Sequence, residues 1–244
     1  MSLLNGLVHA ADDAGISQLI YNAFFVLSFV SWLFFNHRHG AHYGLSVRER
    51  TVISLVVFPV AYASLYVLYW IETAFNGWGS HNIVRGFVYF PLIALALAKF
   101  LHIRRGVAVD FIAPGVSLCQ GVAHLGCSFA GCCYGIPFAG GIWNPRFGSY
   151  LFPVQICEAA AALLTFAVCA VYAKKRGYRG DGTVYPLFLI LFGVTRFFLE
   201  FLRDNQKVIG QVSVLALHAA LMVLVGTVWL LVHARRASSP TTAE

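Results

Sequence analysis

Apolar stretches long enough to cross about 30 Å of hydrocarbon as helices recur along this chain. They fall near residues 18–36, 51–71, 84–101, 110–130, 151–172, 183–202 and 211–232. In a bilayer core each backbone N–H and C=O must be satisfied within its own segment. The pattern therefore predicts an all-α integral membrane protein of about seven transmembrane helices. Composition excludes a soluble domain, because 59% of the 244 residues are hydrophobic and only 11% are charged. The first apolar run has no basic leader and no cleavage site after it, so it is expected to remain as a span rather than to be removed as a signal peptide.

The 17 Lys and Arg outnumber the 10 Asp and Glu, which in another setting would point to nucleic acid. Here the basic residues sit in short clusters between apolar runs, as the positive-inside rule requires, and no nucleic-acid partner is implied. Arg38, Arg48 and Arg50 follow the first span, Arg104 and Arg105 the third, Lys174, Lys175, Arg176 and Arg179 the fifth, and Arg235 and Arg236 the seventh. The alternate loops carry only Arg85, Arg146, Arg203 and Lys207. This alternation predicts an N-terminus outside and a C-terminus in the cytoplasm. No internal repeat is present, so residues 1–236 read as a single transmembrane domain and the Ser-, Thr- and Pro-containing stretch 237–244 as a disordered tail. The loop from Ile136 to Tyr150, with Phe138, Trp143, Phe147 and Tyr150, is expected to lie against the outer membrane interface.

The least generic stretch is Gly126-Cys-Ser-Phe-Ala-Gly131-Cys-Cys-Tyr-Gly135, at the end of the fourth run. All six cysteines lie in or beside apolar segments, which argues against a disulfide framework. Adjacent Cys132 and Cys133 suit neither a CxxC motif nor paired zinc ligands, so no metal site and no cofactor is expected. The thiols then serve as small packing residues, or as reactive groups: His124 lies one turn before Cys127, a spacing at which an imidazole can activate a thiolate.

Ionisable groups inside the spans cost about 2.5 to 3.5 kcal/mol each and mark function more often than structure. Arg196 and Glu200 are four residues apart on one run, positioned to pair; clipping helices together is the competing structural reading. Glu158 stands at the outward end of the fifth run with Gln155 three residues earlier on the same face, a plausible acid-base or hydrogen-bonding pair. Arg85 opens the third run, followed by Gly86, whose missing side chain lets another backbone or a lipid headgroup approach. A guanidinium fork there suits a phosphate, and interfacial snorkelling is the competing reading. His218 reads as a buried, hydrogen-bonded histidine, and His37, His39 and His42 as part of a solvated basic loop.

Taken together, Asp110-Phe-Ile-Ala-Pro114, the Gly126 to Gly135 stretch, Pro153-x-Gln155-x-x-Glu158 and Arg196-Phe-Phe-Leu-Glu200-Phe-Leu-Arg203 resemble the prolipoprotein diacylglyceryl transferase family, over roughly Asp110 to His218. The resemblance implies a seven-span enzyme of the bacterial inner membrane. Its reaction would move the diacylglyceryl group of phosphatidylglycerol to the lipobox cysteine of a prolipoprotein signal peptide, forming a thioether and releasing glycerol phosphate. The implied partners are those two substrates and the surrounding membrane lipids. Residue by residue, the family's embedded arginine and glutamate match Arg196 and Glu200, and its Gln and Glu in span five match Gln155 and Glu158. The family signature reads Gly-Arg-x-Gly-Asn-Phe-x-Asn-x-Glu-x-x-Gly. Ala123, His124, Cys127, Ala130 and Cys132 stand here for its Gly, Arg, both Asn and Glu, while Gly126 and Gly135 are kept. The family's His-Gly pair is Arg85-Gly86 by spacing, and the cysteine-rich version resembles a divergent branch.

Attack of a thiol on the glyceryl carbon displaces a phosphate, so the site needs cations and a base. The expected catalytic residues are Arg196, Glu200, Glu158 and His124, with the base open among the last three. The expected substrate-binding residues are Arg85, Gly86, Gln155, Gly126, Gly131, Gly135, Cys127, Cys132 and Tyr134. The alternative is a non-transferase family member that binds phospholipid or performs membrane thiol chemistry through Cys127, Cys132 and Cys133.

Overall fold

The structure, a computed structural model, describes residues 14–76, 86–87, 90–144, 147–204 and 207–238. Its helices are α1 (Ala14–His42), α2 (Val47–Asn76), α3 (Phe90–Phe100), α4 (Arg105–Asp110), α5 (Ala113–Ala130), α6 (Val154–Lys175), α7 (Val184–Glu200) and α8 (Val214–Ser238). Each expected span overlaps one of these helices, the third only in part. Among the described residues, four stretches are long and apolar enough to cross a membrane: Gly15–His42, Arg105–Ala130, Val154–Lys175 and Val214–Arg236. At 17 residues α7 is shorter, and α3 covers only 11 residues of the expected third span. The chain is thus a helical membrane protein. Its last helix runs through Ala237 and Ser238, into the stretch expected to be a disordered tail, whose remaining residues lie outside the described ones.

Burial explains the arrangement. The α4–α5 stretch is mostly buried, whereas most of α1 is not. Helix α5 packs against α1 on one side and α6 on the other, α6 continues to α7, and α7 to α8. Leu19, Phe34, Leu92, Leu164, Phe198 and Leu224 stand exposed around the outside. Apolar all round, such helices suit a lipid surrounding, and contact between them then depends on close backbone approach. Gly126 supplies one such approach: a Cβ there would sit 2.6 Å from the Cβ of Phe24 on α1.

Local signals set the helix ends. Ser46 and Glu49 form a reciprocal capping box at the start of α2, with Ser46 N–H donating to Glu49 Oε2 at 2.7 Å and Glu49 N–H to Ser46 Oγ at 3.3 Å. Pro114 occupies the first turn of α5, and Gly131, at φ +62°, closes it in the left-handed conformation. The basic loop expected around His37–His42 is instead the last turn of α1. There His39 is buried, stacked on Phe35 with ring centroids 4.7 Å apart and edge-on to Tyr43 and Tyr178, because the α1 terminus docks on the loop after α6.

Among the described residues, two small antiparallel hairpins depart from an all-helical plan: β1 (Pro137–Asn144) with β2 (Ser149–Leu151), and β3 (Lys207–Ile209) with β4 (Val212–Ser213). The first replaces the expected interfacial loop. Trp143 pairs across it with Tyr150, ring centroids 5.2 Å apart.

Candidate active site

Glu158, on the second turn of α6, is the hub of a buried charge cluster drawn from three helices and a turn. Arg196 of α7 and Arg203, in the turn after α7, both pair with its carboxylate. Arg203 Nε donates a further hydrogen bond to Glu158 Oε1 at 3.2 Å. His124 of α5 brings its Nε2 to 3.2 Å from Glu158 Oε2 and to 2.7 Å from Gln120 Nε2. A ring protonated on Nδ1 accepts from Gln120; one protonated on Nε2 donates to Glu158. Each of Glu158, Arg196 and Arg203 is at most 5% exposed.

A second carboxylate completes the cluster. Arg196 pairs with Glu200 one turn on, Nη2 to Oε2 at 2.7 Å. Glu200 also accepts from Ser213 Oγ at 2.7 Å, while that oxygen accepts the Ala216 N–H at 3.1 Å, so the start of α8 holds Glu200 in place. Two arginines and two glutamates balance formally at zero, which is what makes such burial affordable. Glu158 lies at the N-terminal end of α6, His124 near the C-terminal end of α5, and Arg196 and Glu200 near the C-terminal end of α7. The antiparallel packing brings those three ends together.

The expected catalytic residues Arg196, Glu200, Glu158 and His124 therefore converge. Gln155 joins them from the first turn of α6: its amide donates to the carbonyl of Cys132 at 2.8 Å and ties the cysteine loop to the cluster. Among the remaining expected binding residues, the glycines and Tyr134 have packing roles. A Cβ on Gly135 would meet the carbonyl oxygens of Phe152 and Leu202 at 2.5 and 2.8 Å, where the loop crosses the turn that carries Arg203. Gly131 is the helix cap and Gly126 the α1 contact already described. Tyr134 lies against Phe147 with ring centroids 4.2 Å apart. Gly86 faces the Phe90 ring, and its neighbour Phe87 accepts a hydrogen bond from the buried Tyr185 hydroxyl at 2.7 Å. Arg85 lies outside the described residues. His218, on α8, has its Nδ1 2.8 Å from the Val214 carbonyl oxygen, a local hydrogen bond as expected.

Arg203 is the residue that sequence reasoning missed, having counted it with the sparse cations of an outer loop. Its signal was spacing: it follows Arg196 by seven residues, two helical turns, and so returns to the same face. Cys127 and Cys132, with Cys133, bring their sulfurs within 4.8 Å of one another. They are the one grouping of this kind among the described residues that has the donors to hold a metal ion.

The family model described as prolipoprotein diacylglyceryl transferase matches residues 19–232. A phosphatidylglycerol–prolipoprotein diacylglyceryl transferase of Clostridium tetani is 32% identical over 148 residues, 55% of this chain and 58% of its own. A second, numbered 2, from Clostridium perfringens is 27% identical over 150 residues, covering 58% of this chain and 57% of the relative. The chain thus spans under two thirds of the length of those two relatives. One from Dehalococcoides mccartyi is 26% identical over 202 residues, 74% of this chain and 75% of the relative. Since the family match takes in most of the sequence and every member of the buried charge cluster, the chain belongs to the prolipoprotein diacylglyceryl transferase family.

Proposed function

We propose that this protein transfers the diacylglyceryl group of phosphatidylglycerol to the lipobox cysteine of a prolipoprotein. The observation that carries the reading is Glu158 held between Arg196 and Arg203 in a buried site among apolar helices. The substrate thiol sulfur forms a bond to the glyceryl carbon, the bond from that carbon to the phosphate oxygen breaks, and glycerol phosphate leaves with the electron pair. The thiol proton passes to Glu158. Neutralising that carboxylate releases Arg203 and the Glu158-facing side of Arg196, which stays paired with Glu200, as the leaving phosphate gains charge, so positive charge becomes available at the moment it is needed. Arg196 Nε is buried without a hydrogen-bond partner among the described residues and is a ready donor to a phosphate oxygen. His124 and Glu200 orient the carboxylate and the guanidinium respectively.

The assay is transfer of labelled diacylglycerol from phosphatidylglycerol to a lipobox peptide by the purified protein in detergent. Wild type is expected to be active, and a wild type without transfer overturns the reading. Arg196→Lys keeps the charge and loses the fork, so transfer at limiting lipid is expected to fall at least about tenfold, the loss of one charged hydrogen bond. Full activity of Arg196→Lys excludes bidentate phosphate binding by this residue.

The proposal includes a seven-span topology in the bacterial inner membrane, N-terminus outside, with the Glu158 cluster in the outer half. Its support is the alternation of basic loops. Reporter fusions after Arg50, Arg105, Arg179 and Arg236 are expected to report the cytoplasm, and fusions near Gly79, Trp143 and Asn205 the outside. Two reversed loops end the seven-span arrangement.

A further inference from the structure

Three thiols sit beside the charge cluster, none of them a reacting group in the transfer proposed above, and the backbone gathers them in an unusual way. Cys127 is on the last turn of α5, and Cys132 and Cys133 follow the left-handed Gly131. Cys133 is itself left-handed, with φ +57°. Non-glycine residues seldom adopt that conformation. An extended dipeptide would send adjacent side chains to opposite faces; this turn turns both toward Cys127. The three sulfurs all lie within 4.8 Å of one another and the residues are half-buried.

We propose that Cys127, Cys132 and Cys133 form a three-thiolate site for a soft, thiophilic monovalent cation of the Cu(I) type. Three sulfurs bonded at about 2.3 Å to a common centre in a plane stand about 4.0 Å apart, so each pair has less than about 1 Å to close. A disulfide would need two of them at about 2.05 Å, with one thiol left over. The donor set selects the ion: sulfur-only ligation favours Cu(I), while Zn(II) wants a fourth ligand, and among the described residues the grouping offers three. On binding, each sulfur gives up its proton to solvent, no electron is transferred, and the site carries a formal charge of −2. Arg203 and Arg196 both interact electrostatically with Cys133.

The test uses the purified full chain in detergent, reduced and anaerobic, titrated with Cu(I) against a chromogenic Cu(I) chelator and in parallel with Zn(II). One Cu(I) per chain, retained against the chelator, is expected, with X-ray absorption giving three sulfurs at about 2.3 Å and no nitrogen or oxygen neighbour. Cys127→Ser, Cys132→Ser and Cys133→Ser should each lose stoichiometric binding, while Cys157→Ser keeps it. The wild-type absorption measurement stands even if a variant fails to fold. Absence of Cu(I) binding, a first shell with fewer than three sulfurs, Zn(II) held more tightly than Cu(I), or full binding by any of the three variants overturns the proposal. This outcome is independent of diacylglyceryl transfer, which is measured separately.

Discussion

Glu158→Gln is expected to abolish measurable diacylglyceryl transfer and to lower the thermal stability of the protein in detergent. The amide keeps the shape of the side chain and removes its charge, leaving Arg196 and Arg203 side by side with Glu200 as the remaining carboxylate of the cluster. Breaking a buried pair in this way costs about 3–5 kcal/mol, because the stranded cations stay in a poorly solvated site. Removing a general base lowers the rate by about 10²–10⁴. Glu158→Asp separates the two effects, since it keeps the counter-charge and withdraws the carboxylate by one methylene. Its stability should stay near wild type while its rate falls. The measurements are initial transfer rate and the midpoint of thermal unfolding. A Glu158→Gln protein that transfers at the wild-type rate rules out both roles for this carboxylate.

What the sequence makes legible follows from what the bilayer demands. A span must be apolar along its whole length, so helices and their approximate ends can be read from runs of residues, and charges within them stand out. The Arg196–Glu200 pair was readable for the same reason, being local to one helix. The partners of Glu158 were not, because no local rule says which ends of α5, α6 and α7 meet. Arg203 was legible only as the end of a motif and not as a site residue, since the helix stops at Glu200 while the side chain still returns to its face. The β1–β2 hairpin was hidden by Gly140 and Gly141, which weaken any strand pattern. Gly141 is there because a Cβ would lie 2.1 Å from the Leu151 carbonyl oxygen. The thiol cluster depends on a left-handed cysteine, a conformation that residue type does not announce.

Asp110, quoted only as part of a sequence motif, turns out to be the acceptor on which α7 hangs. Its carboxylate is fully buried. It accepts the backbone N–H of Gly182 at 2.8 Å, Thr183 at 3.2 Å, Val184 at 2.9 Å and Tyr185 at 3.2 Å. These are the orphan donors that any helix leaves at its start, here satisfied from another helix by a group whose charge also suits the positive end of the α7 dipole. Each bond to a charged acceptor contributes about 1.5–3 kcal/mol, and a buried donor left without one forfeits more than the bond. Asp110→Ala should therefore reduce the yield of folded protein severely and shift thermal unfolding further than any single change on the lipid-facing surface. Asp110→Asn, which retains one acceptor oxygen and points an NH₂ at the other donors, should fall between the two. Arg196 lies 12 residues beyond Val184, about 18 Å along the helix at 1.5 Å per residue. The Asp110→Asn protein that does fold is accordingly expected to transfer diacylglycerol at a rate per folded molecule close to wild type. Should it unfold at the wild-type temperature, the four-bond anchor is wrong. Should it instead fold stably and lose transfer, Asp110 acts on the reaction and not on the seating of α7.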